Sequence, residues 1–172
     1  MPDVDRKGRV RRIRADQWEL ARALRLEALA EAPGALAATL GEERELPEAA
    51  WKARAESDSR GEETVGFFGC DAAGEPRATA VGGRSGGSPP SVELAALWVA
   101  PELRGSGLSS ALVEAVFGWA REMGAVEVTL DVTETGEAAR GLYRRLGFRV
   151  VDGGKANCGA RRDPSIRMAR PL

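Results

Sequence analysis

Leu97-Trp98-Val99-Ala100-Pro101-Glu102-Leu103-Arg104-Gly105-Ser106-Gly107-Leu108-Ser109-Ser110 is the stretch that decides the architecture. It closes an apolar strand-like run, Ser91 to Val99, halts at Pro101, turns through two glycines and opens a helix. Leu108, Ala111, Leu112, Ala115, Val116 and Trp119 recur at helical spacing, which predicts an amphipathic helix over 108–123 with Gly124 as its C-terminal cap. The first N–H groups of such a helix have no internal partner and carry the positive end of its dipole. Gly105 and Gly107 admit positive φ and close backbone approach. A turn of this kind is a ready anion site, although on these residues alone the glycines could equally serve a tight connection.

Nucleotide sites fit the turn poorly. A P-loop needs a lysine followed by serine or threonine, and no lysine occurs between Lys52 and Lys155. A dinucleotide fingerprint would put glycine or alanine at Ser110, with an acidic residue about 20 positions on that only Glu127 or Asp131 could supply.

Around the turn, strands and helices alternate. Strands are expected at 125–132, 148–151 and 166–170, and a helix at 136–146. Upstream, Arg9 to Arg14 reads as a short strand. A helix with Asp16 as N-cap runs to about Glu31, where Pro33-Gly34 stops it, and a second runs from Pro47 to about Glu56. Thr64–Cys70 and Pro76–Val81 form an antiparallel hairpin across a glycine-containing loop. Gly82 to Pro90 and Gly153 to Pro164 read as loops. The expected fold is α/β. Residues 1–8 are expected to form a flexible tail and 9–172 a single domain.

Composition narrows the chemistry. The chain has 172 residues, 43% hydrophobic and 30% charged, as in ordinary globular proteins. At that size roughly 70% of the unfolded surface can leave water. A net charge of −1 supplies no general field for nucleic acid or an anionic membrane. Arg9, Arg11, Arg12 and Arg14, and later Arg161, Arg162, Arg167 and Arg170, are read as solvated edges, and Trp18, Trp51, Trp98 and Trp119 as core. The absence of histidine excludes serine–histidine and cysteine–histidine nucleophiles and histidine-bound metals. Cys70 and Cys158 lack metal-ligand spacing, so no metal is expected and both read as free thiols. No apolar run approaches the roughly 20 residues of a membrane span, and Met1 to Arg14 lacks a signal-peptide core. A cytoplasmic location is expected.

With these features in place, Leu97 to Ser109 resembles the acetyl-CoA signature of the GNAT acetyltransferase superfamily, R/Q-x-x-G-x-G/A. Arg104 and Gly107 match it, and Ser109 takes the final position. A second motif lies about thirty residues on. Ala139 to Phe148 is similar to the family's N-x-x-A-x-x-L-Y-x-x-x-G-F, with Gly136 where the asparagine would stand. The resemblance implies a mixed, twisted sheet of six to seven strands, about four flanking helices, and a central splay between two parallel strands. It implies acetyl-CoA as co-substrate, held by Leu97, Trp98, Val99, Arg104, Gly105, Ser106, Gly107, Leu108, Ser109 and Ser110. Pyrophosphate would meet the turn amides, and pantetheine the backbone near Trp98 and Val99.

Acetyl transfer to an amine requires loss of a proton from an ammonium whose ordinary pKa is about 10.4. The resemblance makes Glu93 the base and Tyr143 the acid that protonates the departing thiolate, with a strand amide near Val99 meeting the oxyanion. The implied function is N-acetyl transfer to a primary amine of a small molecule or peptide, by direct attack in a ternary complex. A catalytically weak CoA-binding interaction module is the alternative. Residues Glu27 to Trp51 and Gly153 to Pro164 are expected to shape the acceptor pocket. A homodimer, as in many relatives, is left open.

Overall fold

The computed structural model describes residues 9–36, 38–156 and 164–172, with backbone alone for 152–156. The expected tail, Cys158, Arg161 and Arg162 lie outside these residues. Seven strands, β1 (Val10–Arg12), β2 (Thr64–Cys70), β3 (Pro76–Ser85), β4 (Ser91–Val99), β5 (Glu127–Thr133), β6 (Arg149–Ala156) and β7 (Ser165–Pro171), form one sheet in the order β1-β2-β3-β4-β5-β7-β6. Every neighbouring pair is antiparallel except β4 and β5, which run parallel. The helices are α1 (Trp18–Glu31), α2 (Leu40–Arg44), α3 (Glu48–Arg60), α4 (Leu108–Glu122) and α5 (Glu137–Arg145). This is the expected mixed α/β sheet.

α4 packs its apolar stripe on one face of the sheet. Leu112, Val116 and Phe117 meet Val65, Val92, Leu94, Val128 and Leu130, all almost fully buried. α5 joins the same face through Ala139, Tyr143 and Leu146. Its motif residues explain themselves: Gly147 takes φ +89°, its N–H bonds Arg144 C=O, and the chain swings Phe148 inward. Phe148 then stacks on Phe117 with ring centres 5.7 Å apart and meets Tyr143 edge-on at 5.8 Å. On the opposite face, α1 closes a smaller core of Ile13, Leu24, Ala28, Phe68 and Trp98.

Several expectations need correction. The segment read as a loop from Gly82 remains in β3 as far as Ser85. Glycine is there because α4 presses close: a Cβ on Gly82 would stand 3.0 Å from Val116 Cγ1 and 3.2 Å from Trp119 Cζ3. The segment read as a loop from Gly153 likewise begins inside β6, which runs to Ala156. The first strand shortens to Val10–Arg12. Asp16 caps no helix; it lies in a 3₁₀ turn, Ala15–Gln17, paired with Arg14. α1 ends at Glu31, before Pro33-Gly34, while α3 continues to Arg60 and ends on Gly61 at φ +67°. α2 raises the helix count to five among the described residues. Its capping box, with Thr39 accepting from the Glu42 N–H and Glu42 accepting from the Thr39 N–H, is a signal the sequence carries openly.

Arg167 and Arg170 are partly exposed but engaged rather than free. Arg167 forks onto Asp131 at 3.0 and 3.1 Å, and Arg170 lies over the Phe117 ring at 4.4 Å. Trp51, Trp98 and Trp119 are buried, whereas Trp18 is only half-buried.

Strand propensity alone would favour valine over glycine at position 82. Crowding predicts the reverse. Gly82→Val is expected to cost about 1–3 kcal/mol by overpacking, read as a fall in thermal midpoint; an unchanged or higher midpoint would contradict the packing account.

Candidate active site

The site begins where β4 leaves β5. Their pairing covers only Ser91, Val92 and Glu93 against Glu127, Val128 and Thr129. Beyond it β4 carries a bulge. Thr79 faces Trp98 and Val81 faces Ala95, so two residues, Ala96 and Leu97, oppose the single Ala80. Ala96 sits at φ +52°, a left-handed conformation costing roughly 1–2 kcal/mol for a residue with a Cβ. The extra residue reverses the alternation. Leu94 and Leu97 face the α4 core, whereas Trp98 turns to the α1 core.

The bulge also sets the backbone. Ala100 N–H bonds Arg77 C=O at 2.9 Å, which makes the neighbouring Val99–Ala78 pair a non-hydrogen-bonded one. The N–H and C=O of Val99 therefore point away from β3, into the gap that β5 leaves open. Arg104 Nε donates to that carbonyl at 3.1 Å.

After β4, Pro101–Leu103 forms a 3₁₀ turn, and Gly105 and Gly107 take φ +79° and +82°. The amides of Arg104 and Ser106 are turned inward, donating to Pro101 and Leu103 C=O. Those of Gly105, Gly107, Leu108, Ser109 and Ser110 have no backbone partner among the described residues. A Cβ on Gly105 would meet nothing within 4 Å, so the turn opens on space. Leu108 seats the helix start against small residues; a Cβ on Gly69 would stand 2.9 Å from Leu108 Cγ. The turn thus presents five amides, two positive-φ glycines and a helix N-terminus, an arrangement able to hold an anion.

A cleft of about 430 Å³ runs from this turn along the splay. It gathers Leu97, Trp98, Val99, Arg104, Gly105, Ser109 and Tyr143. Ser106, Gly107, Leu108 and Ser110 are not among the residues lining it. Glu93 is not in the wall. It is half-buried beside Gly83 and Thr129, at the last β4–β5 pair, on the sheet face opposite α4. The structure adds wall residues that no local pattern marks: Asp131 and Thr133 of β5, Arg145 of α5, and Ala32, Ala35 and Leu36 after α1. Gly136 also lines the cleft, and a Cβ there would stand 2.9 Å from Thr133 Oγ1. The threonine hydroxyl occupies the space beside the position where the resemblance expects asparagine.

Charged tethers hold the turn to α1. Glu31 accepts from Arg104 Nη2 at 2.7 Å and from Trp98 Nε1 at 3.0 Å. Arg77 forks onto Glu27 at 3.1 Å and also donates to Glu102. The Arg104 guanidinium braces the turn through Nε and Nη2.

The hydrogen bonds from Arg104 and then Trp98 hold the Glu31 carboxyl below its ordinary 4.5. Its stabilising contribution is present above the unfolded-state pKa and is lost as pH falls through the lower folded-state value. Glu31→Gln is expected to lower the thermal midpoint at neutral pH, with the gap to the parent closing below about pH 4. A gap that stays constant between pH 7 and 3 would show that the carboxylate charge is not what holds the turn.

Among the described residues, no group of three or more cysteines or carboxylates stands together to hold a metal, and no helix is long and apolar enough to cross a membrane. Known proteins share parts of this sequence and its fold. An uncharacterised N-acetyltransferase of Mycobacterium tuberculosis is 31% identical over 81 residues, covering 47% of this chain and 52% of that protein. The match thus spans about half the length of that relative. The structure resembles an acetyltransferase of the GNAT family from Streptococcus pneumoniae, with TM-score 0.76, 15% identity, and coverage of 95% of this chain and 98% of that one. It also resembles a GNAT superfamily phosphinothricin acetyltransferase from Sinorhizobium meliloti solved with acetyl-CoA, with TM-score 0.75, 20% identity, and coverage of 95% and 87%. Residues 20–148 match the model of the acetyltransferase (GNAT) family, and the chain belongs to that family.

Proposed function

We propose that residues 9–172 act as a single N-acetyltransferase domain that moves an acetyl group from acetyl-CoA to a primary amine of a small molecule or peptide. Attack is direct, within a ternary complex. One observation carries this reading: the unpartnered amides of Gly105 and Ser109, the outward Val99 N–H and Tyr143 lie along one cleft. The turn suits a pyrophosphate, and the splay suits an extended arm that pairs with β4 near Trp98 and Val99. The Val99 N–H would meet the oxyanion. When bound, acetyl-CoA supplies the thioester.

Tyr143 serves as the acid. Its ring is fixed by Phe148 and its side chain lines the cleft. Proton donation to the departing sulfur removes the need for a free thiolate. Glu93 serves as the base, directly or through water. Its place outside the cofactor cleft, on the α1 face, suits an amine that arrives from the other side of the sheet. No covalent enzyme intermediate is required, which fits a chain without histidine.

The alternative, a CoA-binding module with weak turnover, draws on one feature: Gly136 gives α5 no side-chain cap where the resemblance expects asparagine. Acetyl-CoA consumption in the presence of an amine panel separates the two readings.

Tyr143→Phe is expected to lower kcat by about 10²-fold or more, the usual scale of general acid catalysis; full turnover at every pH would remove the tyrosine from the chemistry. Glu93→Gln should abolish the acid limb of the pH dependence of kcat/KM, and an unchanged profile would reject it as base. Gly107→Val places a β-branched residue at φ +82° beside the free amides. It should abolish acetyl-CoA binding in calorimetry, and undiminished affinity would refute the turn as pyrophosphate site.

A further inference from the structure

A second cavity, of about 350 Å³, lies on the α1 face of the sheet. Its floor includes Ala95 and Ala96 of the β4 bulge, the same irregularity whose following residues, Leu97 to Val99, wall the cofactor cleft. The two cavities therefore approach one bulge from different sides, and Glu93 shares a sheet face with Ala95, two residues away. Ile13, Ala21, Trp51, Ala55 and Val81 make much of the lining apolar.

Four charged side chains line this cavity, and they are unequally satisfied. Glu43, only 5% exposed, is held by Arg54 at 2.7 Å. Arg25 is 19% exposed and approaches Glu43 only to 3.6 Å, beyond hydrogen-bond length, although a guanidinium carries five donors. Burial, the largest influence on it, pulls the Arg25 pKa down. Asp58 accepts one hydrogen bond, from Thr64 Oγ1 at 2.7 Å, and burial pushes its carboxyl up. A cation with one long ion pair, to Glu43, and a carboxylate with one hydrogen bond, from Thr64, thus line one small cavity, and for each burial is the largest influence. A ligand bearing both signs would satisfy the two together. A polycationic sugar would find one available carboxylate and meet Arg25 unfavourably.

We propose that this cavity is the acceptor subsite and that the acceptor is a small amine carrying a carboxylate, of the amino-acid class, with its carboxylate at Arg25 and its amine drawn into the cavity by the Asp58 charge and, once neutral, directed at the β4 bulge. This rests on the acetyl-transfer reading. The ligand adds the second partner that Arg25 lacks, and its amine lies on the Glu93 face of β4.

The test measures thiol release from acetyl-CoA with free amino acids, ω-amino acids, their carboxamides, polyamines and short peptides. The parent protein is expected to favour each acid over its own carboxamide by about ten-fold or more in kcat/KM, the scale of one charge-assisted contact. Arg25→Gln should erase that preference, and Arg25→Lys should retain part of it. Because the ratio is taken within one protein, it does not depend on the folded fraction of a variant. Asp58→Asn should raise KM for the acids while keeping the acid-to-carboxamide preference. Transfer confined to polyamines or peptides, or a preference that survives Arg25→Gln, would overturn the proposal and leave acetyl transfer standing. If no amine consumes acetyl-CoA, the acetyl-transfer reading fails instead. Calorimetric titration of the same amino acids into the parent and Arg25→Gln proteins then decides the cavity, and equal or absent binding to both refutes it.

Discussion

The active site depends on a single break in pairing, the parting of β4 from β5 after Glu93 and Thr129. A continuous parallel ladder would have consumed the backbone groups of Val99 and closed the cleft. The bulge at Ala96–Leu97 prevents this at a conformational cost of roughly 1–2 kcal/mol. That cost is tolerated because both faces of the bulged strand are anchored, Leu94 and Val99 in the α4 core and Trp98 in the α1 core. A single irregularity opens the cleft, frees an amide and assigns consecutive side chains to opposite layers.

The glycine turn before α4 is held in register by two different means. Below it, Leu108 rests on glycine and alanine, so the helix N-terminus lies close to the ends of β2 and β3. Above it, the Glu31–Arg104 and Glu27–Arg77–Glu102 pairs tie it to the end of α1. These pairs are partly exposed, and each is worth little alone. Their shared effect is positional: residues after α1 that wall the cleft are tethered to the turn that forms its end. The five available amides need such bracing, because an anion site of backbone dipoles works only when they converge.

Much of the fold was legible because it rests on local regularities. α4 has an uninterrupted apolar stripe, β2 and β4 are bounded by turn residues, and the Gly147-Phe148 pair marks a helix end that returns to the core. Misreadings arose where a residue answers to a distant neighbour. Gly82 and Gly83 look like loop residues but lie in a strand, and at Gly82 the reason is a helix packed too close for a side chain. Arg167 and Arg170 look solvated in sequence and are engaged by Asp131 and Phe117. The Thr39–Glu42 capping box was readable and marks α2. Of the residues around the cleft, the turn was legible through its glycines, whereas the wall from Ala32, Asp131 and Arg145 was not, since these come from three separate elements.

The sequence by itself determined the order of the main elements, the glycines that permit positive φ at the turn before α4, and the pair of motifs that resemble one superfamily. These are properties of short segments, written in spacing and residue type. Tertiary structure alone decided that β4 would part from β5, that Trp98 would face α1, that Arg104 would brace Glu31, and that Arg25 and Asp58 would line one cavity beneath the bulge. The reason is physical: strand register, desolvation and charge pairing are set between residues dozens of positions apart, and only the packed chain brings those partners together.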